Sequence, residues 1–127
     1  MYRMTWLGPD VDAVVTLLRD AGAPFAFLHG SRATGTSRAG SDLDVAVWLG
    51  EADELTVRSR LPADVDLLVL DRAPLELAGR VAMYGKLILD VDPPARVEWQ
   101  ATTRKVFADE RYRIDQARRD FADAHRG

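Results

Sequence analysis

Residues 30–49, "GSRATGTSRAGSDLDVAVWL", form the stretch that decides the fold. The stretch begins with glycine and hydroxyl residues, contains two arginines, and reaches Asp42 and Asp44 directly before the apolar run "VAVWL". Polar residues at the start and a continuous apolar run after them are typical of a strand whose beginning is exposed and whose remainder is buried. The stretch therefore predicts a polar loop that leads into a core strand.

The chain on either side of this stretch predicts three more strands and several helices. Short apolar runs between turn residues predict strands at 25–29, 65–70 and 86–92. Helical periodicity with start and stop residues predicts helices at 10–22, 51–59, 74–84 and about 95–125. The alternation of helices and strands with short connections predicts an α/β (α+β) layer with a mixed β-sheet of about four strands, flanked by helices.

Length and composition limit the class of protein. With 127 residues we expect a single domain, 1–127, with a helical C-terminal tail at about 95–125. A net charge of -3 does not favour nucleic acid or an anionic membrane as a direct partner. The absence of cysteine excludes disulfides and thiolate metal sites, and no apolar run resembles a signal peptide or a membrane span. We therefore expect a cytoplasmic protein, and the predominance of arginine over lysine fits a GC-rich bacterial genome.

Two aspartates at the start of the central strand indicate a metal site. Because Asp42 and Asp44 are two residues apart in a strand, they project from the same face, roughly 6 to 7 Å apart at the backbone. Two hard oxygen ligands suit Mg²⁺, which completes its coordination with water and substrate phosphate. Asp66 leads the next apolar strand and is the best placed third carboxylate, with Asp64 as the reserve. A lone D-x-D pair is also common at strand ends, where it has no chemical role.

The segment before the aspartates favours the chemical interpretation. Gly30 follows a strand directly and allows the backbone to approach a ligand closely, and Ser31 lies where free N–H groups favour a phosphate. Arg32 could add positive charge, although an exposed loop residue is an equal alternative. A phosphate cradle and a carboxylate pair together predict two-metal displacement at phosphorus.

The nucleophile for this displacement has to come from the substrate. The chain has no cysteine and no Ser, His and Asp spacing that suggests a triad, and it lacks the lysine of a Walker loop. We expect His29 to be a structural strand residue, and His125 lies near the end of the helical tail.

The combined motif resembles that of a known family. The "GS" at Gly30 and Ser31, the loop, the "SDLD" that ends on Asp42 and Asp44, and the later "VD" at Asp66 are similar to the signature of the DNA polymerase β-like nucleotidyltransferase superfamily. The resemblance implies that Gly30 and Ser31 bind the nucleotide phosphates and that the three aspartates bind two Mg²⁺ ions. It further implies that Asp66 acts as a base toward the attacking hydroxyl.

Length and the tail "PPARVEWQATTRKVFADE" are similar to those of the minimal nucleotidyltransferases called MntA. This resemblance implies an antitoxin that transfers AMP from ATP to a tyrosine of a HEPN-domain RNase toxin. An antibiotic nucleotidyltransferase and a non-catalytic toxin-binding module are the alternatives. The tail itself has two interpretations: its apolar residues pack on the domain beside solvated arginines, which we favour, or they form a docking surface. The tail's large apolar residues are Trp99, Val106, Phe107, Tyr112 and Phe121.

Overall fold

The computed structural model describes residues 9–30 and 43–126. Within these ranges four helices and four strands follow one another along the chain. They are α1 (Pro9–Asp20), β1 (Phe25–Leu28), β2 (Leu43–Trp48), α2 (Glu54–Arg60), β3 (Val65–Val69), α3 (Leu75–Tyr84), β4 (Lys86–Asp90) and α4 (Pro93–Ala124), with a short 3₁₀ turn at Leu70–Arg72. No helix of this part of the chain has both the length and the apolar character that a bilayer crossing needs.

The four strands form one mixed sheet in the order β3-β2-β1-β4. β1 runs antiparallel to both β2 and β4, and β2 runs parallel to β3. A parallel neighbour requires a crossover connection, which α2 supplies between β2 and β3. The predicted mixed sheet of about four strands with flanking helices is confirmed.

One face of the sheet packs against α1 and α2 in an aliphatic core. Leu43, Val45 and Val47 project from β2 into this core, as the alternation of a strand requires. They meet apolar residues of the two helices, among which Val14, Leu18 and Val57 are fully buried. The buried side chains on this face are all apolar, and their removal from water stabilises the fold.

The opposite face of the sheet, which we call the α4 face, carries an aromatic cluster. Phe25 lies 6.0 Å from Phe27 between ring centroids and stacks on Trp48 at 5.9 Å. Trp99 of α4 lies 5.7 Å from each phenylalanine ring and covers both. Contact between aromatic rings at these separations stabilises a core beyond the area that it buries. The cluster therefore anchors the start of α4 on the sheet.

α4 continues from this cluster along α3, and the two helices are antiparallel. Asp92 caps α4 by accepting a hydrogen bond from the backbone N–H of Ala95 at 3.2 Å. The Arg104 guanidinium donates to the Ala82 carbonyl of α3 at 2.6 Å. Gly79 allows close approach, since a Cβ at that position would overlap the Phe107 ring. Trp99 and Phe107 thus pack on the domain as expected.

The end of α4 departs from the sequence expectation. Tyr112 and Phe121 are 67% and 66% exposed, and Val106 is 46% exposed. The prediction that these apolar residues pack on the domain is wrong. Tyr112 and Phe121 lie toward the end of α4, which has 32 residues whereas α3 has 10. Val106 lies beside α3, but its neighbour Phe107 occupies the side of α4 that faces α3. Arg111 still approaches Glu76 near the beginning of α3, at 3.9 Å. The remainder of α4 extends beyond α3.

Candidate active site

The candidate site lies at one end of the α4 face, where β2 and β3 begin and β1 ends. Asp44 of β2 is the register partner of Asp66 of β3. Register partners in a parallel pair project from the same face of the sheet, about 4.8 Å apart between strands. The structure therefore brings these two sequence-predicted carboxylates side by side, Asp44 half-buried and Asp66 exposed.

His29 extends this row of side chains across a third strand. Leu28 pairs with Val45, and the backbone N–H of His29 donates to the Asp44 carbonyl at 3.0 Å. Since Leu28 belongs to the aliphatic core, the next residue projects from the α4 face. His29, Asp44 and Asp66 thus form one row on neighbouring strands, which we call the polar row.

Gly30 directly follows His29 and forms a turn at the end of β1. Its φ is +70°, a left-handed conformation that side chains other than glycine rarely adopt. A Cβ at this position would overlap the Asp44 carboxylate. The glycine therefore allows both the turn and the close approach of backbone to carboxylate.

Several residues of the predicted site have no described position. Ser31, Arg32 and Asp42 lie outside the residues that the structure describes. Asp64, the reserve ligand, precedes β3, and its carbonyl accepts a hydrogen bond from the N–H of Leu43 at 2.9 Å. Of the carboxylates considered, the structure places Asp44 and Asp66 together, and the role of each remains a prediction.

His29 is the residue of this site that sequence reasoning assigned to the scaffold. Its Nε2 atom is buried and has no hydrogen-bond partner within the described residues. Burial lowers the pKa of the His29 side chain, while the Asp44 and Asp66 carboxylates act in the opposite direction. The His29 side chain is placed in the same row as both carboxylates by the pairing of β1 with β2 and of β2 with β3. Its two-residue spacing from Phe27 was the available signal, because it places both side chains on one face.

The chemistry of the polar row fits a hard divalent cation. Two carboxylates in register repel each other, and a cation between them removes the repulsion. Mg²⁺ is commonly held by one or two protein carboxylates, with water and substrate phosphate as its other ligands. In residues 9–30 and 43–126 no group of three His, Cys, Asp or Glu side chains is arranged to hold a metal ion. Asp44 and Asp66 are thus the described part of the predicted ligand set.

A groove of about 350 Å³ lies at the other end of the α4 face. Trp48, at this groove, is four residues beyond Asp44 in β2, or about 13 Å along the strand. The groove is lined by Trp48, Ala95, Glu98, Trp99, Thr102 and Thr103. It contains none of the predicted site residues, and its largest side chains belong to the aromatic cluster.

Comparisons with known proteins show which family the chain matches and which solved structures it resembles. Residues 15–94 match the family model described as polymerase beta, nucleotidyltransferase. No curated protein matches the sequence. A solved toxin–antitoxin complex with AMP-PNP contains a chain that is 26% identical, with a TM-score of 0.60 over 84% of this chain and 97% of that one.

Two further solved structures share the fold. One is a mutant MntA–HepT toxin–antitoxin complex, whose matched chain is 24% identical with a TM-score of 0.65, over 84% of this chain and 97% of that one. The other is a tri-AMPylated Shewanella oneidensis HEPN toxin in complex with an MNT antitoxin. Its matched chain is 22% identical with a TM-score of 0.56, over 87% of this chain and 98% of that one.

Proposed function

Because the chain belongs to the polymerase β nucleotidyltransferase family, we propose that it is an antitoxin that transfers AMP from ATP to a tyrosine of a HEPN-domain RNase toxin. The pairing of Asp44 with Asp66 beside the left-handed Gly30 is the observation that carries the proposal. Toxin–antitoxin complexes among the structural relatives, one with AMP-PNP and one with an AMPylated toxin, support the choice of nucleotide and acceptor.

In this proposal the chain's own residues bind the nucleotide and accept a proton. Gly30 and Ser31, with Arg32 nearby, bind the triphosphate, and Asp42, Asp44 and Asp66 hold Mg²⁺. The tyrosine oxygen attacks the α-phosphorus, the bond from that phosphorus to the bridging oxygen breaks, and pyrophosphate leaves. The proton of the tyrosine hydroxyl passes to Asp66. When bound, Mg²⁺ polarises the attacking hydroxyl and neutralises the pyrophosphate charge.

The exposure of Asp66 and Gly30 at the candidate site favours a protein as the acceptor. Asp66 and Gly30 are exposed, and Asp44 is half-buried. A small-molecule acceptor is usually held in a concave pocket that buries most of its surface. A protein acceptor brings its own surface and completes an open site. The bacterial cytoplasm, where ATP and the toxin would meet the chain, is the proposed location.

Incubation of the chain with ATP, Mg²⁺ and its cognate HEPN-domain protein tests this function. We expect the intact mass of the toxin to increase by one or more AMP units, and its RNase activity to fall in step. An unchanged toxin mass, with ATP binding to the antitoxin verified, would overturn the proposal.

A double variant separates catalysis from docking. Asp42→Asn with Asp44→Asn removes two proposed metal ligands with little change in side-chain volume. We expect this variant to bind the toxin without modifying it and without silencing its RNase activity. Full neutralisation by the variant would show that docking alone is the mechanism.

A further inference from the structure

The groove at the end of the α4 face opposite the polar row takes no part in the nucleotide chemistry proposed above. Its volume is about 350 Å³, and its lining comes from the end of β2 and the first half of α4. Pockets that hold small ligands have volumes of roughly 300 to 1,000 Å³. The groove therefore has room for one large side chain of a partner or for a small molecule.

Two indole rings supply most of the surface of the groove. The Phe25 ring stacks on one face of the Trp48 indole, with 5.9 Å between centroids and 6° between planes. A ligand can therefore stack only on the opposite face of that indole. Trp48 and Trp99 are both half-buried, so each keeps part of its surface open in the groove. Among side chains, the face of an indole attracts cations most strongly.

The charge of the groove also favours a cation. Of the six described residues that line it, Glu98 alone is charged, and it is exposed. Within residues 9–30 and 43–126 its carboxylate has no hydrogen-bond or ion-pair partner. Two basic residues of the same helix pair elsewhere: Arg96 with Asp90 at 2.9 Å, and Lys105 with Asp109 at 2.9 Å. The groove thus combines two aromatic rings with an unpaired negative charge.

Resting on the proposed function, we propose that the groove binds an arginine side chain of the HEPN-domain toxin. A planar guanidinium stacks on an indole and pairs with a carboxylate at the same time, whereas a lysine ammonium is a point charge. A toxin that cleaves RNA has to approach a polyanion, so we expect basic side chains on its surface. This chain has a net charge of -3, which complements such a surface.

One toxin molecule can contact the groove and the polar row together. Trp48 lies about 13 Å along β2 from Asp44. A standard protein interface covers about 800 Å² on each partner, which is wide enough to include both places. The groove thus contributes affinity for the toxin at a distance from the reacting groups, and the polar row carries the chemistry.

The affinity of the full chain for its cognate HEPN-domain toxin, measured by calorimetry without ATP, tests this inference. Glu98→Arg reverses the charge of the groove, and Thr102→Arg places the chain's own guanidinium at its edge. Asp115→Arg is the matched control, because it makes the same change in charge at an exposed residue in the second half of the same helix. We expect both groove variants to weaken toxin binding at least about tenfold, and the control to stay within about twofold of the wild type.

Three further readouts separate docking from folding and from chemistry. The melting temperature should not fall in either groove variant, because Glu98 and Thr102 are exposed. The affinity for AMP-PNP with Mg²⁺ should equal that of the wild type. At saturating toxin, AMP transfer should stay within about twofold of the wild type, because the groove lies about 13 Å from Asp44.

Chemical modification of the toxin with phenylglyoxal, which reacts with arginine, identifies the occupant. We expect one toxin arginine to be protected in the complex with the wild type and to react in the complex with Glu98→Arg, at concentrations where both complexes are formed. Replacement of that arginine by glutamate should restore the affinity of Glu98→Arg, because the two charges are then exchanged.

Four results would overturn the inference. They are toxin binding by both groove variants within about twofold of the wild type, an equal loss in Asp115→Arg, a loss of AMP-PNP affinity with toxin affinity retained, and no protected toxin arginine. If the wild type neither binds nor modifies the toxin, the proposed function falls as well. If the wild type binds and modifies the toxin and the groove variants do so equally, only this inference falls.

Discussion

The two ends of the α4 face are built from the same strands and differ in what they carry. At one end the polar row places His29, Asp44 and Asp66 on three neighbouring strands. At the other end the rings of Phe25 and Trp48 stack at 5.9 Å and α4 packs on them. The comparison shows that one sheet face supplies both stability and a site. Where α4 covers the face, aromatic residues are favoured, and where the face is exposed to solvent, charged residues can be placed.

Asp44→Asn at the polar end should give the largest effect on activity. Loss of a proposed metal ligand that contacts the transition state through Mg²⁺ should lower AMP transfer by about a thousandfold or more. The free energy of unfolding in metal-free buffer should stay constant or rise, because a repulsion between register partners is removed. Transfer rates and chemical denaturation of the same preparation measure both. Residual transfer within about tenfold of the wild type would contradict a metal role for this carboxylate.

Trp99→Ala tests the aromatic end and should have the opposite profile. Removing a ring that lies 5.7 Å from both Phe25 and Phe27 should lower the free energy of unfolding by about 3 kcal/mol. Well below the unfolding temperature, AMP transfer should change by no more than about twofold, since the folded fraction still exceeds nine-tenths. Urea unfolding and transfer rates check this. A stable variant that has lost transfer would place function at the aromatic end.

Gly30→Ala sharpens the comparison because it affects backbone and carboxylate together. The left-handed conformation should cost about 1 to 2 kcal/mol of stability, and overlap with the Asp44 carboxylate should also displace a proposed metal ligand. Gly22→Ala is the matched control, since Gly22 also has a positive φ, +91°, but has no atom within 4 Å of an added Cβ. Both variants should lose stability, and only Gly30→Ala should lose AMP transfer. Equal transfer by the two variants would contradict the account.

Glu54 lies at the start of α2, away from both ends of the α4 face. Its substitution should have the smallest effect on stability of the changes considered. Hydrogen bonds from Arg72 at 2.6 Å and Arg58 at 2.8 Å lower its pKa to about 2 from 4.5. The folded pKa lies below the unfolded one, so this stabilisation is present above pH 4.5 and is lost as the pH falls toward 2.

The matched variant for this effect is Glu54→Gln. The difference in melting temperature between the wild type and Glu54→Gln should shrink between about pH 6 and about pH 3. The effect should be small in moderate salt, because exposed ion pairs are screened. A difference that grows on acidification would contradict the assigned role of the two arginines.

Most of the fold could be predicted from local patterns. The apolar runs predicted all four strands within a few residues, because a short buried strand needs a continuous apolar segment between turn residues. The proximity of Asp44 and Asp66 also followed from the sequence, since each leads an apolar run and neighbouring strands align such positions. Strand order and the antiparallel direction of β1 depend on which strands pair over long range, and local periodicity gives no information about that pairing.

The environment of His29 and the end of α4 could not be predicted, for a common reason. The spacing from Phe27 puts His29 on the same face as that ring, but the carboxylates that share this face are known only when β1 is paired with β2, with Leu28 opposite Val45. The exposure of Tyr112 and Phe121 depends on where α3 begins relative to α4, which periodicity along α4 does not reveal. In both cases local sequence determines the element, and its neighbours determine what the side chain meets.

A crystal structure of the chain with AMP-PNP and Mn²⁺ in place of Mg²⁺ tests the central claim most directly, because Mn²⁺ is located by its anomalous scattering. The account predicts an anomalous peak within bonding distance of carboxylate oxygens of Asp44 and Asp66, with the phosphates against Gly30. A nucleotide bound in the groove between Trp48 and Trp99, with no metal peak at either carboxylate, would contradict it.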